Sequence, residues 1–467
     1  MKNYFNLPNI QQKLNANFQF DLRAFALFRI VLGFVMMLDI CIRLSDFTIF
    51  YTQNGILPFQ YLAQFFDKYY FLPIYQLNDS PWFVGICFAI HLIAIFCFAI
   101  GYRTKLFQVI TLLFYISLHM RNPYVLQGGD DLIRCMLIFS LFMPLNAMWA
   151  VQTKKVTHNY TFYTLVFMFQ VLMVYWVSAC MKTSAEWHSD ATALYYAFNL
   201  DIIQWPLAKY LLQFPTLLKV LTHVVFYFEI LIPILFFIPF KNQKMRAIGI
   251  ISIVLFQIGI ASTLFVGLFY LINLCALIPL LPSQFFTYFK IKQLEETEEL
   301  PYSQTYNYWV IGILAYVLVW NTTYIPQFRY GLAKKFRTVA YTIGINQSWG
   351  MFAPSVFKDD GWFIYEAHLA NGDTLDLKKA SQKLSYQKPE NILSTIKNDR
   401  WRKYTEHLVM HDKVWIREPL KNKILKEYNA SVHDKGKKVK RFFIIYMKEQ
   451  TPPPGDSAKI TQEYLTY

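Results

Sequence analysis

The chain has 467 residues, of which 55% are hydrophobic, 18% aromatic and only 16% charged, and its formal net charge is +15. A soluble chain of this size usually carries about a quarter charged residues, so the composition excludes an ordinary soluble globular protein and places most of the chain in a bilayer. The expected fold class is mostly α: a polytopic transmembrane helix bundle of about nine spans, followed by a smaller mixed α/β extracytoplasmic domain.

Apolar stretches long enough to cross about 30 Å of hydrocarbon predict spans at Phe25–Ile42, Trp82–Ile100, Leu106–Met120, Leu132–Val151, Tyr160–Met181 and Leu221–Phe240. The stretch Ala247–Leu281 has no charge and is too long for one span, so it predicts two helices with a tight turn near Ser262–Gly267. Tyr308–Trp320 extends to a ninth. No cleavable leader is expected, because about two dozen polar residues precede the first apolar run.

Orientation follows from the positive-inside rule. The short links 101–105, 150–159 and 241–246 are basic (Arg103, Lys105, Lys154, Lys155, Lys241, Lys244, Arg246) and fall on one side. The links on the other side, 43–81, 121–131 and 182–220, are longer and poor in basic residues. The expectation is an integral membrane protein with the N-terminus inside, residues 1–323 forming the membrane domain and residues 324–467 an external one.

Residues 324–467 hold 25 Lys and Arg against 15 Asp and Glu, so +10 of the formal charge lies there. "WFIYEAHLANGDTLDL" places Asn371 and Gly372 between two strand-like runs, which predicts a hairpin with a type I′ turn. "RFFIIYM" predicts another strand, residues 391–428 are helix-like, and "TPPPGD" predicts the start of a loose tail. The six cysteines (41, 87, 97, 135, 180, 275) lie in or beside apolar segments, as buried free thiols do.

Several polar constellations interrupt the apolar pattern. "YWVSACMKTSAEW" ends a span on Lys182. Loss of hydration there would lower the amine pKa and make a neutral base available, while a snorkelling lysine that ends a helix is the plainer reading. "RNPYVLQGGDDLIR" leads into the fourth span, and Asp130 and Arg134 are spaced to pair on one helix face, as a satisfied ion pair or as the wall of a pocket. Arg29, Asp39 and Glu229 are further charges inside apolar segments, and such charges are functional candidates because they are costly in lipid. His407 and His411 have helical metal-ligand spacing but no third ligand, so no metal is expected. "ALYYAFNLDIIQWP" is amphipathic in the manner of an interfacial helix.

Four stretches together resemble a known family: "FALFRIVLGFVMMLDICIRLSDFTIFYTQNGILP", "RNPYVLQGGDDLIRCMLIFSLFMPL", "VYWVSACMKTSAEWHSDATALYYAFNLD" and "NQSWGMFAPSVFKDDGW". They resemble the vitamin K-dependent gamma-carboxylases in their broader bacterial grouping, the HTTM (horizontally transferred transmembrane) domain. The resemblance implies that Lys182 is the base that deprotonates a vitamin K hydroquinone or similar quinol. It further implies cofactor or substrate binding by Tyr175, Asn122, Tyr124, Asp130, Arg134, Glu186 and Trp187. The family's histidine beside the asparagine has no counterpart at that place, His119 being the nearest in sequence.

The first expectation is therefore a membrane carboxylase acting at the outer face on an acidic secreted peptide drawn in by the basic domain. Two alternatives stand beside it. One is a non-enzymatic membrane protein that binds, matures or helps export a secreted peptide; the other is a quinone-binding oxidoreductase without carboxylation. The bilayer is the certain partner on this reading, and no nucleic-acid partner is expected.

Overall fold

The computed structural model describes residues 14–466 except 15–16, 19, 61, 63–73, 157–159, 293–303, 329 and 380–381. The first long helix, α1 (Leu22–Leu44), starts where the Asp21 side chain accepts the Arg23 backbone N–H. It is followed by the short α2 (Phe47–Tyr51). Ser80 caps α3 (Pro81–Ile100), whose first residue is a proline that has no N–H to leave unsatisfied, and Gly101 ends it in the left-handed region. Then come α4 (Thr104–Arg121), α5 (Gly128–Phe139), α6 (Thr161–Met181), α7 (Ala193–Phe198), α8 (Pro215–Leu235), α9 (Asn242–Thr263), α10 (Phe269–Leu277) and α11 (Gln304–Thr322). The bundle is built from neighbours that pack in pairs: α1 on α3, α3 on α4, α6 on α8 and α8 on α9.

Five of these helices, α1, α3, α6, α8 and α9, are long and apolar enough to cross a membrane. Two shorter apolar helices, Phe269–Leu280 and Tyr308–Thr322, accompany them. The count of nine spans is thus not what the helices support. The stretch expected to form the fourth span, 132–151, is the clearest departure. Its α-helix stops at Phe139 and a further short turn ends at Phe142, so α5, with 12 residues, is about 18 Å long. Its remainder, from Met143 onward, runs as turns whose carbonyls are taken by Arg29 and Lys105. The break inside the long uncharged stretch lies where expected, with α9 ending at Thr263 and α10 starting at Phe269.

After α11 the chain forms the amphipathic α12 (Lys334–Ile343) and then a five-stranded antiparallel sheet of order β3-β2-β1-β4-β5. Its strands are β1 (Asp359–Leu369), β2 (Thr374–Asp376), β3 (Gln382–Lys383), β4 (Val439–Gln450) and β5 (Lys459–Tyr464), with α13 (Asp399–Leu408) and α14 (Arg417–Ser431) between β3 and β4. The β1–β2 hairpin forms at Asn371–Gly372 as expected, but not with a type I′ turn. Only Gly372 of that pair takes a positive φ, +93°, and Gly372 N–H donates to Leu369 O while Leu369 N–H donates to Asp373 O. That pattern is a three-residue loop with the glycine at its left-handed position. "TPPPGD" is a turn into β5 rather than the start of a loose tail.

Strand alternation decides which side chains face the bundle. Phe363, Ala367, Phe442 and Ile444 join Tyr404, Leu408 and Leu420 in the same apolar core as the membrane helices. Trp362, Ile364, Ile445 and Met447 form a separate cluster on the other face with Ile392. The C-terminal region therefore continues the core of the bundle at the end where α1, α4 and α6 finish, as the contact of Phe50 with Trp401 at 4.8 Å illustrates. All six cysteines are free.

Candidate functional site

Three groups of buried polar side chains gather at that same end of the bundle. The first is a closed set of two guanidiniums and two carboxylates. Arg43, at the end of α1, donates Nε–H to Asp39 Oδ2 one turn earlier at 2.9 Å and Nη2–H to Asp130 Oδ1 at 2.5 Å. Arg400, from α13, completes it: Nη2 reaches Asp39 Oδ1 at 2.6 Å and Nη1 reaches Asp130 Oδ2 at 2.5 Å. All four side chains are at most 4% exposed. Each carboxylate lies between two arginines, so the charges sum to zero inside the protein. Remaining donors go to Tyr51 Oη and Val125 O. Burial and Arg43 work against the charge on Arg400, but Asp130 and Asp39 outweigh them and hold the guanidinium above its ordinary pKa. Asp130 also closes the start of α5, accepting the Gln127 N–H in a capping box.

Asp130 and Arg134 do not pair with each other, contrary to their spacing. Arg134 takes Asp131, three residues away, at 2.6 Å, because the two arginines of the closed set already occupy both oxygens of Asp130. It also donates to Gly344 O and Asn346 O and meets His119 Nδ1 at 2.6 Å. With Ser348 N–H donating to Asp131 Oδ2 at 3.1 Å, this second group ties the segment "GINQSW" to α4 and α5. Gln347 extends the tie: its Oε1 accepts from Gln170 of α6 at 2.8 Å and from Trp349 Nε1 at 2.7 Å, and its carbonyl accepts from Trp320 at 2.8 Å.

Lys182 lies in the third group, as the residue that ends α6. Its amine is 3% exposed, donates to Glu229 Oε2 of α8 at 2.5 Å and to Ser178 Oγ at 2.8 Å, and stands 4.7 Å from the Trp187 ring centroid. Trp187 Nε1–H donates to Phe352 O, and Glu186 pairs with Lys358 at 2.6 Å. Burial disfavours the charge on Glu186, but the bond from Lys358 prevails and its carboxyl stays below the usual range. Tyr175, two turns before Lys182, accepts from Gln257 of α9 at 3.1 Å. The Lys182 amine is thus enclosed by a carboxylate, a hydroxyl and an indole face.

The other expected residues have local tasks. Asn122 Oδ1 accepts the Tyr124 N–H, and its Nδ2 donates to Phe50 O. Tyr124 packs edge-on against His407 and Trp415. Arg29 serves four backbone carbonyls, those of Ala99, Leu145, Met148 and Trp149. Arg29, Asp39 and Glu229 therefore do not converge on one polar cavity. Lys358, Arg400 and Gln347 were not singled out from the sequence. Arg400 had one available signal: Asp39, Arg43 and Asp130 leave one buried negative charge that needs a cation from elsewhere.

Among the described residues, one carboxylate group has metal-like spacing. Oxygens of Asp201, Asp360 and Glu449 lie within 4.8 Å of one another. The Lys388 ammonium already sits 2.6 Å from both Asp201 and Glu449, which is the cation this group holds. Burial, Asp201 and Glu449 push the Asp360 carboxyl up to about 7.

Residues 23–288, more than half of the chain, match the family described as the lipase maturation factor transmembrane domain. Two relatives are similar over part of their length. Lipase maturation factor 2 of Xenopus tropicalis is 27% identical over 261 residues, covering 51% of this chain and 36% of the relative. Lipase maturation factor 2 of Xenopus laevis is 28% identical over 265 residues, with the same coverage of 51% and 36%. The chain thus spans about a third of the length of these curated relatives. No solved structure matches it. These matches overturn the resemblance to the gamma-carboxylases and the HTTM grouping, on which the expectation of a quinol cofactor alone rested. By the match of its helix bundle, this membrane protein belongs to the lipase maturation factor family.

Proposed function

We propose that this protein is a non-enzymatic maturation factor that assists the folding or export of a secreted client enzyme, the client class being the lipase named by its relatives. In this reading residues 1–323 are the membrane domain, and residues 324–467 form a basic domain that meets the client on the side opposite the cytoplasm. What carries the proposal, beside the family, is the closed set Asp39–Arg43–Asp130–Arg400, which ties the C-terminal region to the membrane helices through fully buried charge. A scaffold needs such fixed presentation, and the side chains suited to acid–base chemistry, Lys182 and Glu229, are used on each other.

The test is co-expression with a secreted lipase in cells that lack the factor. Specific activity of the lipase in the medium should rise with the intact protein and stay at background with a bundle truncated after residue 323. Equal rescue by the truncated form would reject the reading of residues 324–467 as the client-facing part.

A further inference from the structure

The C-terminal sheet has one long uncovered edge. Among the described residues β5 has a strand beside it on one side only, β4, while β3 at the opposite edge holds just two residues. Lys459, Ile460, Thr461 and Gln462 are all exposed. Leu465 N–H donates to Ile444 O at 2.8 Å, and the β4–β5 register runs unbroken from there. That bond fixes the parity of the strand: Lys459, Thr461 and Glu463 aim their backbone groups at β4, and Ile460 and Gln462 aim theirs away from it. The outer edge therefore offers N–H and C=O groups that an added strand can take.

Charge decides which strand fits. Charges on an edge strand ordinarily discourage pairing, but β5 carries one of each sign, placed symmetrically about Thr461 as Lys459 and Glu463. An antiparallel copy of the same strand centred on Thr461 sets Lys459 opposite Glu463 of the second copy, and Glu463 opposite its Lys459. Glu463 has only a loose contact within its own chain, 3.9 Å to a Lys448 that Asp359 holds at 2.9 Å. The same register sets Ile460 and Gln462 opposite Gln462 and Ile460 of the second copy. Their backbone groups face outward, so each of these pairs exchanges both its N–H···O bonds, about four in all. A centre between two residues would break this parity, and a centre on Ile460 or Gln462 would lose both ion pairs.

We propose that β5 pairs antiparallel with β5 of a second copy, with a two-fold axis between the two Thr461 residues, so that two five-stranded sheets join into one. The contact uses the same patch on both copies, which closes the assembly at two chains and covers the open edge. It stands apart from the maturation reading, because association is measured without any client.

The experiment uses the full chain in membranes, where both copies share one bilayer. Under mild oxidation Thr461→Cys should form a disulfide-linked dimer, because that pair is not hydrogen-bonded and its Cα atoms stand about 4.5 Å apart. Gln462→Cys should not, since the two substituted residues lie diagonally at about 7–8 Å, beyond the span of a disulfide. The unsubstituted protein, whose six native cysteines are free, sets the background. Charge supplies the second arm, read by energy transfer between differently labelled chains as added lipid dilutes them. Lys459→Glu and Glu463→Lys should each self-associate about tenfold more weakly, because like charges then stand directly opposite. Mixed together, the two variants should pair as well as the unsubstituted protein, since each supplies the charge the other lacks. Equal crosslinking of Gln462→Cys and Thr461→Cys, a Thr461→Cys chain that stays monomeric or joins a different protein, or mixed variants no better than either alone would each overturn the proposal.

Discussion

Arg400 and Asp130, 270 positions apart in the chain, meet through two hydrogen bonds, at 2.5 Å between Nη1 and Oδ2 and at 3.0 Å between Nη2 and Oδ1. A bidentate pair of this kind fixes orientation as well as distance. Here it joins a helix of the C-terminal region to the start of a bundle helix, inside a set that also holds Asp39 and Arg43.

Removing one member of that set should be worse than removing two. Arg400→Gln leaves an uncompensated buried carboxylate and is expected to destabilise by about 3–5 kcal/mol. Asp130→Asn is expected to do the same by leaving a buried guanidinium. Combined, the two changes leave Arg43 with Asp39 and restore neutrality, so the double variant should unfold above either single one. Thermal unfolding in detergent, read together with protease sensitivity of the C-terminal region, measures it. A double variant whose loss is the sum of the two single losses would show that charge balance is not what binds the set.

The Asp360 carboxyl gives the C-terminal region a defined response to pH. Its ordinary value is 3.8, and burial with Asp201 and Glu449 pushes it up to about 7. Between those values the folded protein keeps a proton that the unfolded chain releases, so stability falls as pH rises from about 4 to about 7 and levels off above. Asp360→Asn keeps the acceptor for Ile202 N–H and removes the titration. Its unfolding temperature should exceed that of the unsubstituted protein at pH 8 and lose this part of the pH slope. An unchanged slope would assign it to other groups.

Gly267 turns the chain between α9 and α10 with φ +60°, and a Cβ placed there would stand 2.5 Å from Asp399 Oδ2. Asp399 holds Arg402 at 2.6 Å. Gly267→Ala therefore combines an unfavourable backbone angle with a clash against an ion pair, and should cost more than the roughly 0.4–1 kcal/mol that a compatible site would gain. Unfolding in denaturant reports it, with Gly259→Ala as the control because open space surrounds that position. Equal tolerance of the two changes would mean that the Gly267 turn does not press on α13.

The helical elements were legible where hydropathy and length agreed, as in α1, α3, α6, α8 and α9. Legibility failed at 132–151, since an apolar run does not reveal that Arg29 and Lys105 hold its second half as turns. Lys182, Asp130 and Arg134 stand out in the sequence as polar residues in or beside apolar runs, and the structure buries all three. Their partners were not legible, because Glu229 lies 47 positions from Lys182 and Arg400 lies 270 from Asp130, and helix spacing speaks only for neighbours within a turn. Spacing even misdirected the pairing of Arg134, which depends on Asp130 being claimed from outside its own helix. The family resemblance rested on four separate stretches, whereas the lipase maturation factor match runs through the bundle from residue 23 to residue 288.

The central claim is that the protein acts as a scaffold and that Lys182 and Glu229 serve the fold. It is tested most directly by comparing Lys182→Met with Lys182→Met/Glu229→Gln in the lipase co-expression assay, normalised to the amount of folded factor in the membrane. The single variant leaves a buried carboxylate unpaired and should lower both the folded amount and the secreted lipase activity. The double variant removes the charge pair as a unit and should recover both, giving lipase activity per folded molecule close to that of the unsubstituted protein. A double variant that is folded and inserted at normal levels yet yields only background lipase activity would contradict the scaffold account, because the amine itself would then be required.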